Sequence, residues 1–106
     1  MNTLIEQGLD ENMIVIYISD HGDWLGDHGL IVKGPMHHEG LLRVPMIVCG
    51  PGIRAGVHVD EPVSTIDLGP TFCDYADAEP RQTRHGETLR PLLETADATR
   101  DFAHNE

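Results

Sequence analysis

Basic residues are scarce in this chain. Seven Lys and Arg stand against eighteen Asp and Glu in 106 residues, a formal net charge of −11 with the seven histidines counted as neutral. Nucleic-acid binding needs a basic face to replace phosphate counterions, and an acidic chain lacks one. An anionic membrane surface is disfavoured by the same charge. Long apolar runs are also missing, since none approaches the roughly 18–20 residues that span a bilayer. The N-terminal stretch MNTLIEQGLDENM has no basic n-region and no apolar h-region, so no signal peptide is visible and a cytoplasmic location is expected. Two cysteines, Cys49 and Cys73, do not make a disulfide framework and fit a reducing compartment. One Trp, two Tyr and two Phe are few for a self-sufficient core, because aromatics carry much of the buried area. What remains, 40% apolar and 24% charged residues, is ordinary globular composition. The length suits one small domain or a piece of a larger one.

The local patterns alternate helix and strand. Asn2 to Leu9 reads as the tail of a helix stopped near Gly8 and Asp10. Met13 to Ile18 is a continuous apolar, β-branched run without period-two alternation, which predicts a strand buried on both faces in a parallel α/β sheet. Ser19 to Gly40 has no clean periodicity and is rich in glycine and histidine, as a long functional loop would be. A second strand is expected over Val44 to Cys49, then a turn at Gly50-Pro51-Gly52 and short extended pieces at Val57–Val59 and Pro62–Ser64. Asp67 is placed as the N-cap of a helix to about Ala76. A second short helix is expected over Gly86–Glu94, with Leu89, Leu92 and Leu93 on one face, before a polar, fraying end from Thr95. So few strands leave the expected sheet incomplete within these residues. The organisation expected is residues 1–80 as the C-terminal part of an α/β catalytic domain and 81–106 as the start of a subdomain or tail.

The chemistry concentrates where the first strand ends. Ser19-Asp20-His21-Gly22 lies beyond that strand's carboxyl end, the place where open α/β sheets bind ligands. An Asp oxygen and a His nitrogen together suit a divalent cation of intermediate hardness, with Gly22 allowing the bend that turns both toward one ion. The alternative at this point is a capping Asp beside a hydrogen-bonded His.

The run SDHGDWLGDHGLIVKGPMHHEGLLRVPMIVCGPGI widens the context. With Val63-Ser64-Thr65-Ile66-Asp67-Leu68, Pro70-Thr71, Gly86-Glu87-Thr88-Leu89 and Pro91-Leu92-Leu93 downstream, it resembles the type I sulfatase and phosphonate monoester hydrolase family of the alkaline phosphatase superfamily. Order and spacing agree over about residues 10 to 94. The resemblance implies an α/β fold, part of an alkaline-phosphatase-like parallel-sheet sandwich. It implies that Asp20 and His21 ligate a divalent metal, calcium or manganese, and that Lys33 touches an oxygen of the transferred sulfuryl or phosphoryl group. His at position 21, where many arylsulfatases carry Asn, looks more like the choline-sulfatase and phosphonate-hydrolase branches. The substrate implied is a small sulfate or phosphate ester.

The family's nucleophile is a formylglycine made from Cys or Ser in a C/S-x-P-x-R motif, accompanied by two further acidic ligands, all near the N-terminus of its members. These 106 residues hold no such motif. Cys49-Gly50-Pro51-Gly52-Ile53-Arg54 imitates it, but the arginine comes one residue late. The expectation is therefore a C-terminal portion of a sulfatase-type hydrolase, inactive alone, completed by a missing N-terminal portion or existing as a homo-oligomer; the alternatives are a phosphonate or phosphodiester hydrolase, another member of the superfamily, or a non-catalytic remnant. Among the remaining residues, His28 is a candidate acid for the leaving group or a loop-holding group. His37 or His38 is a candidate pocket wall, Asp23 and Asp27 are loop-structuring acids, Trp24 is an apolar anchor, and Arg43 is the partner of Glu39.

Overall fold

The computed structural model describes residues 1–79 and 85–95. Two compact units follow one another along the chain, Met1–Pro51 and Gly52–Glu106. The expected boundary between residues 80 and 81 and the polar end beyond Thr95 lie outside the described residues. Among the described residues no helix is long and apolar enough to cross a membrane.

In the first unit, helix α1 (Asn2–Glu6) gives way to Gly8 at φ +65°, a left-handed position that ends the helix. A 3-10 turn, Asp10–Asn12, leads into strand β1 (Val15–Ile18). The chain returns through a single helical turn, α2 (Glu39–Leu42), into strand β2 (Met46–Cys49). The strands pair antiparallel, with Val15 opposite Cys49, Ile16 opposite Val48, Tyr17 opposite Ile47 and Ile18 opposite Met46.

The apolar run Met13–Ile18 predicts a strand buried on both faces in a parallel sheet, and within these residues its pairing differs in two ways. Its direction follows from the loop. The Gly22 amide, just past β1, donates to the Leu41 carbonyl, just before β2, at 2.8 Å. The connection thus closes on the end of β1 it left, and β2 must run back. A parallel crossover would carry the chain to the other end. Burial is also incomplete: the opposed side chains Tyr17 and Ile47 are 67% and 61% exposed. Two strands cannot cover both of their own faces.

Gly22 matters here for close approach rather than for an unusual backbone angle. A Cβ at this position would run into the Gly40 carbonyl oxygen and lie 3.3 Å from the Leu41 Cα. Both neighbours are backbone, which a rotamer change cannot relieve. Gly22→Ala should therefore cost the first unit about 1–3 kcal/mol, the usual scale of overpacking. A lowered denaturant midpoint with an unchanged m-value is the expected result. An unchanged midpoint would show that the loop does not need this contact.

The second unit is built on one buried carboxylate. Ser64 and Asp67 form a capping box around the 3-10 turn Thr65–Asp67, which runs into helix α3 (Leu68–Tyr75). Asp67 stands at the N-cap position of α3, as expected, but its side chain makes no cap bond to that helix; it reaches back to Ser64, the cap of the 3-10 turn. Helix α4 (Arg90–Glu94) is shorter than the expected Gly86–Glu94 and carries Pro91 in its first turn. The Thr71 hydroxyl donates to the Asp67 carbonyl at 2.7 Å and accepts the Leu89 amide at 2.9 Å, so α3 holds the entry to α4. Leu89 and Leu92 are buried in the seam, and Leu93 is half-buried. The extended pieces expected at 57–59 and 62–64 form no strand.

A charged cluster ties the helices further. Arg90 donates to Asp74 Oδ1 at 3.2 Å and to Glu94 Oε1 at 3.0 Å, and it lies over the Tyr75 ring at 4.9 Å. The Thr88 hydroxyl donates to Asp74 Oδ2 at 2.7 Å, and this bond, followed by Arg90, holds the Asp74 carboxyl below its ordinary value of 3.8. A carboxylate with a folded-state pKa below its unfolded one stabilises the fold above the unfolded value and loses that contribution as pH falls through the folded value. Acidification below about pH 4 should weaken the α3–α4 seam. Asp74→Asn should flatten this limb of the stability-against-pH curve; an equally steep limb in the variant would assign the acid sensitivity elsewhere.

Candidate metal and anion site

Asp20 and His21 stand immediately beyond β1. The Ser19 hydroxyl donates to the His21 carbonyl at 2.8 Å, turning the chain at the strand end. The His21 amide donates to Asp20 Oδ1 at 3.0 Å, which fixes the carboxylate and leaves Oδ2 toward the imidazole, 3.6 Å from Nε2. That amide bond, then the imidazole whenever it is charged, holds the Asp20 carboxyl below its ordinary value. The carboxylate stays ionised through the neutral range, as a cation ligand must.

His21 is oriented from its other nitrogen. Nδ1 lies 2.7 Å from the Gly22 carbonyl, which can only accept, so Nδ1 carries the proton. The Nε2 lone pair is then outward, the tautomer a metal-ligating imidazole requires. Lys33 Nζ donates to this nitrogen at 2.8 Å. Lys33 is the single lysine of the chain. The Asp20 carboxylate and the Lys33 ammonium thus both approach the same imidazole nitrogen, at 3.6 Å and 2.8 Å. An oxygen and a nitrogen donor together suit an ion of intermediate hardness such as manganese, while calcium would draw on the Asp20 oxygen and not on the imidazole. Among the described residues, however, no group of three His, Cys, Asp or Glu side chains could hold an ion by itself.

The loop that delivers Lys33 is tightly constrained. Leu25, His28 and Val32 have φ values of +48°, +52° and +70°, unusual for residues with a Cβ. Asp23 Oδ1 accepts the Leu25 amide at 2.8 Å and Asp27 Oδ1 the His28 amide at 3.1 Å, so both acids structure the loop as their composition suggests. Trp24 is buried, with its ring edge-on to His38 at 5.9 Å. His28 and His38 lie ring against ring at 4.4 Å. The ring contacts of His28 are therefore His38 and, at 3.8 Å, the Asp27 carboxylate. His37 is exposed. Arg43 and Glu39 approach at 4.0 Å on an exposed surface, an i,i+4 pair across α2. Cys49 is half-buried in β2.

Two features escape a reading of the sequence. Helix α2 is a single turn without periodicity. The Gly22–Leu41 hydrogen bond that closes the loop joins residues whose side chains carry no chemical signal; only the glycines at 22 and 40 hint at a close backbone approach.

Known proteins identify the family of this chain. The family model described as Sulfatase matches residues 1–78. The extracellular sulfatase SULF-1 homolog of Drosophila melanogaster is 41% identical over 92 residues, covering 87% of this chain and 8% of that protein. An arylsulfatase of Clostridium perfringens is 36% identical over 108 residues, covering 97% of this chain and 22% of that one. The solved phosphonate monoester hydrolase of Silicibacter pomeroyi superposes with a TM-score of 0.82 at 32% identity, over 94% of this chain and 19% of its own. The chain thus spans less than a quarter of the length of each of these relatives. A Sulfatase match over most of the sequence, joined to the fold of an alkaline-phosphatase-like α/β hydrolase, makes this chain a member of the sulfatase family.

Proposed function

We infer that Ser19 to Arg43 is the metal- and anion-contacting segment of a hydrolase of sulfate esters. The observation that carries this reading is the meeting of Asp20 Oδ2, His21 Nε2 and Lys33 Nζ at the end of β1. Asp20 and His21 would hold a divalent cation, calcium or manganese, together with ligands from outside these 106 residues. When bound, that cation supplies Lewis-acid polarisation of the transferred group's oxygen. Lys33 leaves His21 and places its ammonium on a second oxygen of that group, spreading the charge that builds in the transition state. Asp20 is held ionised by the His21 amide, and His21 keeps its proton on Nδ1 through Gly22. His28 is the candidate acid for the leaving group, steadied by His38. The family's formylglycine nucleophile has no counterpart among these 106 residues.

A phosphonate or phosphate ester is the second reading. The superposition on the phosphonate monoester hydrolase favours it, as does the chemistry, since a tetrahedral phosphoryl group offers the same oxygens to metal and lysine.

The test uses a chimera in which this chain replaces the matched segment of the Clostridium arylsulfatase. Metal-dependent turnover of an aryl sulfate is expected, and its loss on Asp20→Ala. The 106-residue chain alone should show no turnover and should bind calcium or manganese only at about millimolar strength, since two ligands give no preformed cage. Micromolar binding by calorimetry would mean that further ligands lie within this chain. A chimera whose turnover survives Asp20→Ala would overturn the assignment.

A further inference from the structure

Lys33 is a long, flexible side chain in an exposed stretch of loop, yet its ammonium meets His21 Nε2 at 2.8 Å across twelve residues. Something must fix the backbone from which it springs. The residues on either side of Lys33 are both held by Trp24. The Trp24 amide donates to the Val32 carbonyl at 3.0 Å. Its ring lies so close over Gly34 that a Cβ there would sit 2.6 Å from Cη2 and 3.1 Å from Cζ3. The ring is pinned in turn by the edge contact with His38, which rests on His28. On the other side, Trp24 stands three residues from His21, whose own loop end is clamped by the Gly22–Leu41 bond.

We propose that Trp24 is the positioning residue for Lys33, gripping the chain before and after it so that the ammonium is presented at His21. This builds on the reading of Lys33 as the anion contact and adds what aims it. The sequence offers Trp24 only as an apolar anchor for the loop; the indole's contact at Gly34, beside the backbone bond to Val32 that any residue at 24 would make, assigns it a target. It also explains why residue 34 is glycine, because any side chain would collide with the indole.

Lys33 is the single lysine, so amine acylation of the 106-residue chain, followed by peptide mapping to set aside the α-amino group, reports on it alone. Labelling is measured at one fixed pH, alongside circular dichroism to verify folding. Trp24→Ala should speed acylation of Lys33 about 3- to 10-fold, the factor corresponding to one hydrogen bond of ordinary net strength. Gly34→Ala, which keeps the indole but forces it away, should do the same. His21→Ala should give an equal rise, and the Trp24→Ala/His21→Ala pair no more than either alone, because both act through one bond. Val48→Ala, a packing loss in the strand pair, controls for general loosening and should leave the rate unchanged. Wild-type labelling in both Trp24→Ala and Gly34→Ala, or an equal rise in Val48→Ala, would overturn the proposal. The result stands apart from the anion reading, which depends on turnover of Lys33→Ala in the chimera.

Discussion

Lys33→Ala in the Clostridium chimera is expected to lower turnover of an aryl sulfate about 10²- to 10³-fold, roughly 2.7–4 kcal/mol of transition-state stabilisation, while the melting temperature barely moves. The asymmetry follows from geometry. Lys33 is exposed, and among the described residues its one side-chain hydrogen bond is to His21 Nε2. Losing it strands no buried donor, so stability should change by less than about 0.5 kcal/mol. The same ammonium beside a bound cation is repelled unless an anion lies between them. Its favourable interaction therefore develops with the transferred group and peaks as charge accumulates, the condition for raising the rate rather than merely tightening binding. Lys33→Arg separates position from charge. A guanidinium keeps the charge but changes the reach and donor geometry, so a partial recovery is expected. If Lys33→Ala turned over at a near-normal rate, Lys33 would leave the site, and Asp20 with His21 would remain.

Much of this site is legible in the sequence because its parts are close together in the chain. Asp20 and His21 are adjacent, and an apolar β-branched run announces the strand that ends beside them. The fold class is equally legible, through motifs whose order along the chain survives without any long-range reasoning. Strand direction was not, because it depends on a backbone hydrogen bond between Gly22 and Leu41, and backbone groups are the same in every residue. Burial of β1 depends on the same kind of long-range information. A run such as Val15-Ile16-Tyr17-Ile18 says that a face is apolar, not that an element within these residues covers it. The role of Trp24 is invisible for a third reason. Its position is marked by composition, but its grip on Val32 and Gly34 depends on left-handed backbone at Leu25 and Val32, which no propensity predicts.

Asp67 poses the same problem in the second unit, and one substitution separates the two accounts of it. As the simple N-cap of α3, Asp67 would be replaceable by Asn at almost no cost, since the two residues cap helices about equally well. The structure gives it a larger task. The carboxylate is fully buried, Oδ2 accepts the Ser64 amide at 2.9 Å, and Oδ1 accepts the Glu87 amide at 2.9 Å. One oxygen closes the capping box; the other fastens the segment that leads into α4. Glycine at position 86 belongs to the same contact, for a Cβ there would come within 2.5 Å of the Ile66 carbonyl oxygen. Asn has one oxygen and one NH2, so whichever way it turns, a donor faces a donor. Asp67→Asn should therefore cost about 2–3 kcal/mol, a charged hydrogen bond replaced by an unsatisfied amide. It should also speed hydrogen exchange at whichever of Ser64 and Glu87 loses its acceptor. Asp67→Ala should expose both amides and cost at least as much. Thr71→Val should weaken the same seam without touching the Ser64 amide. A neutral Asp67→Asn, with both amides still protected, would return Asp67 to the role of an ordinary cap and leave the joining of α3 to α4 to Thr71 and the buried leucines.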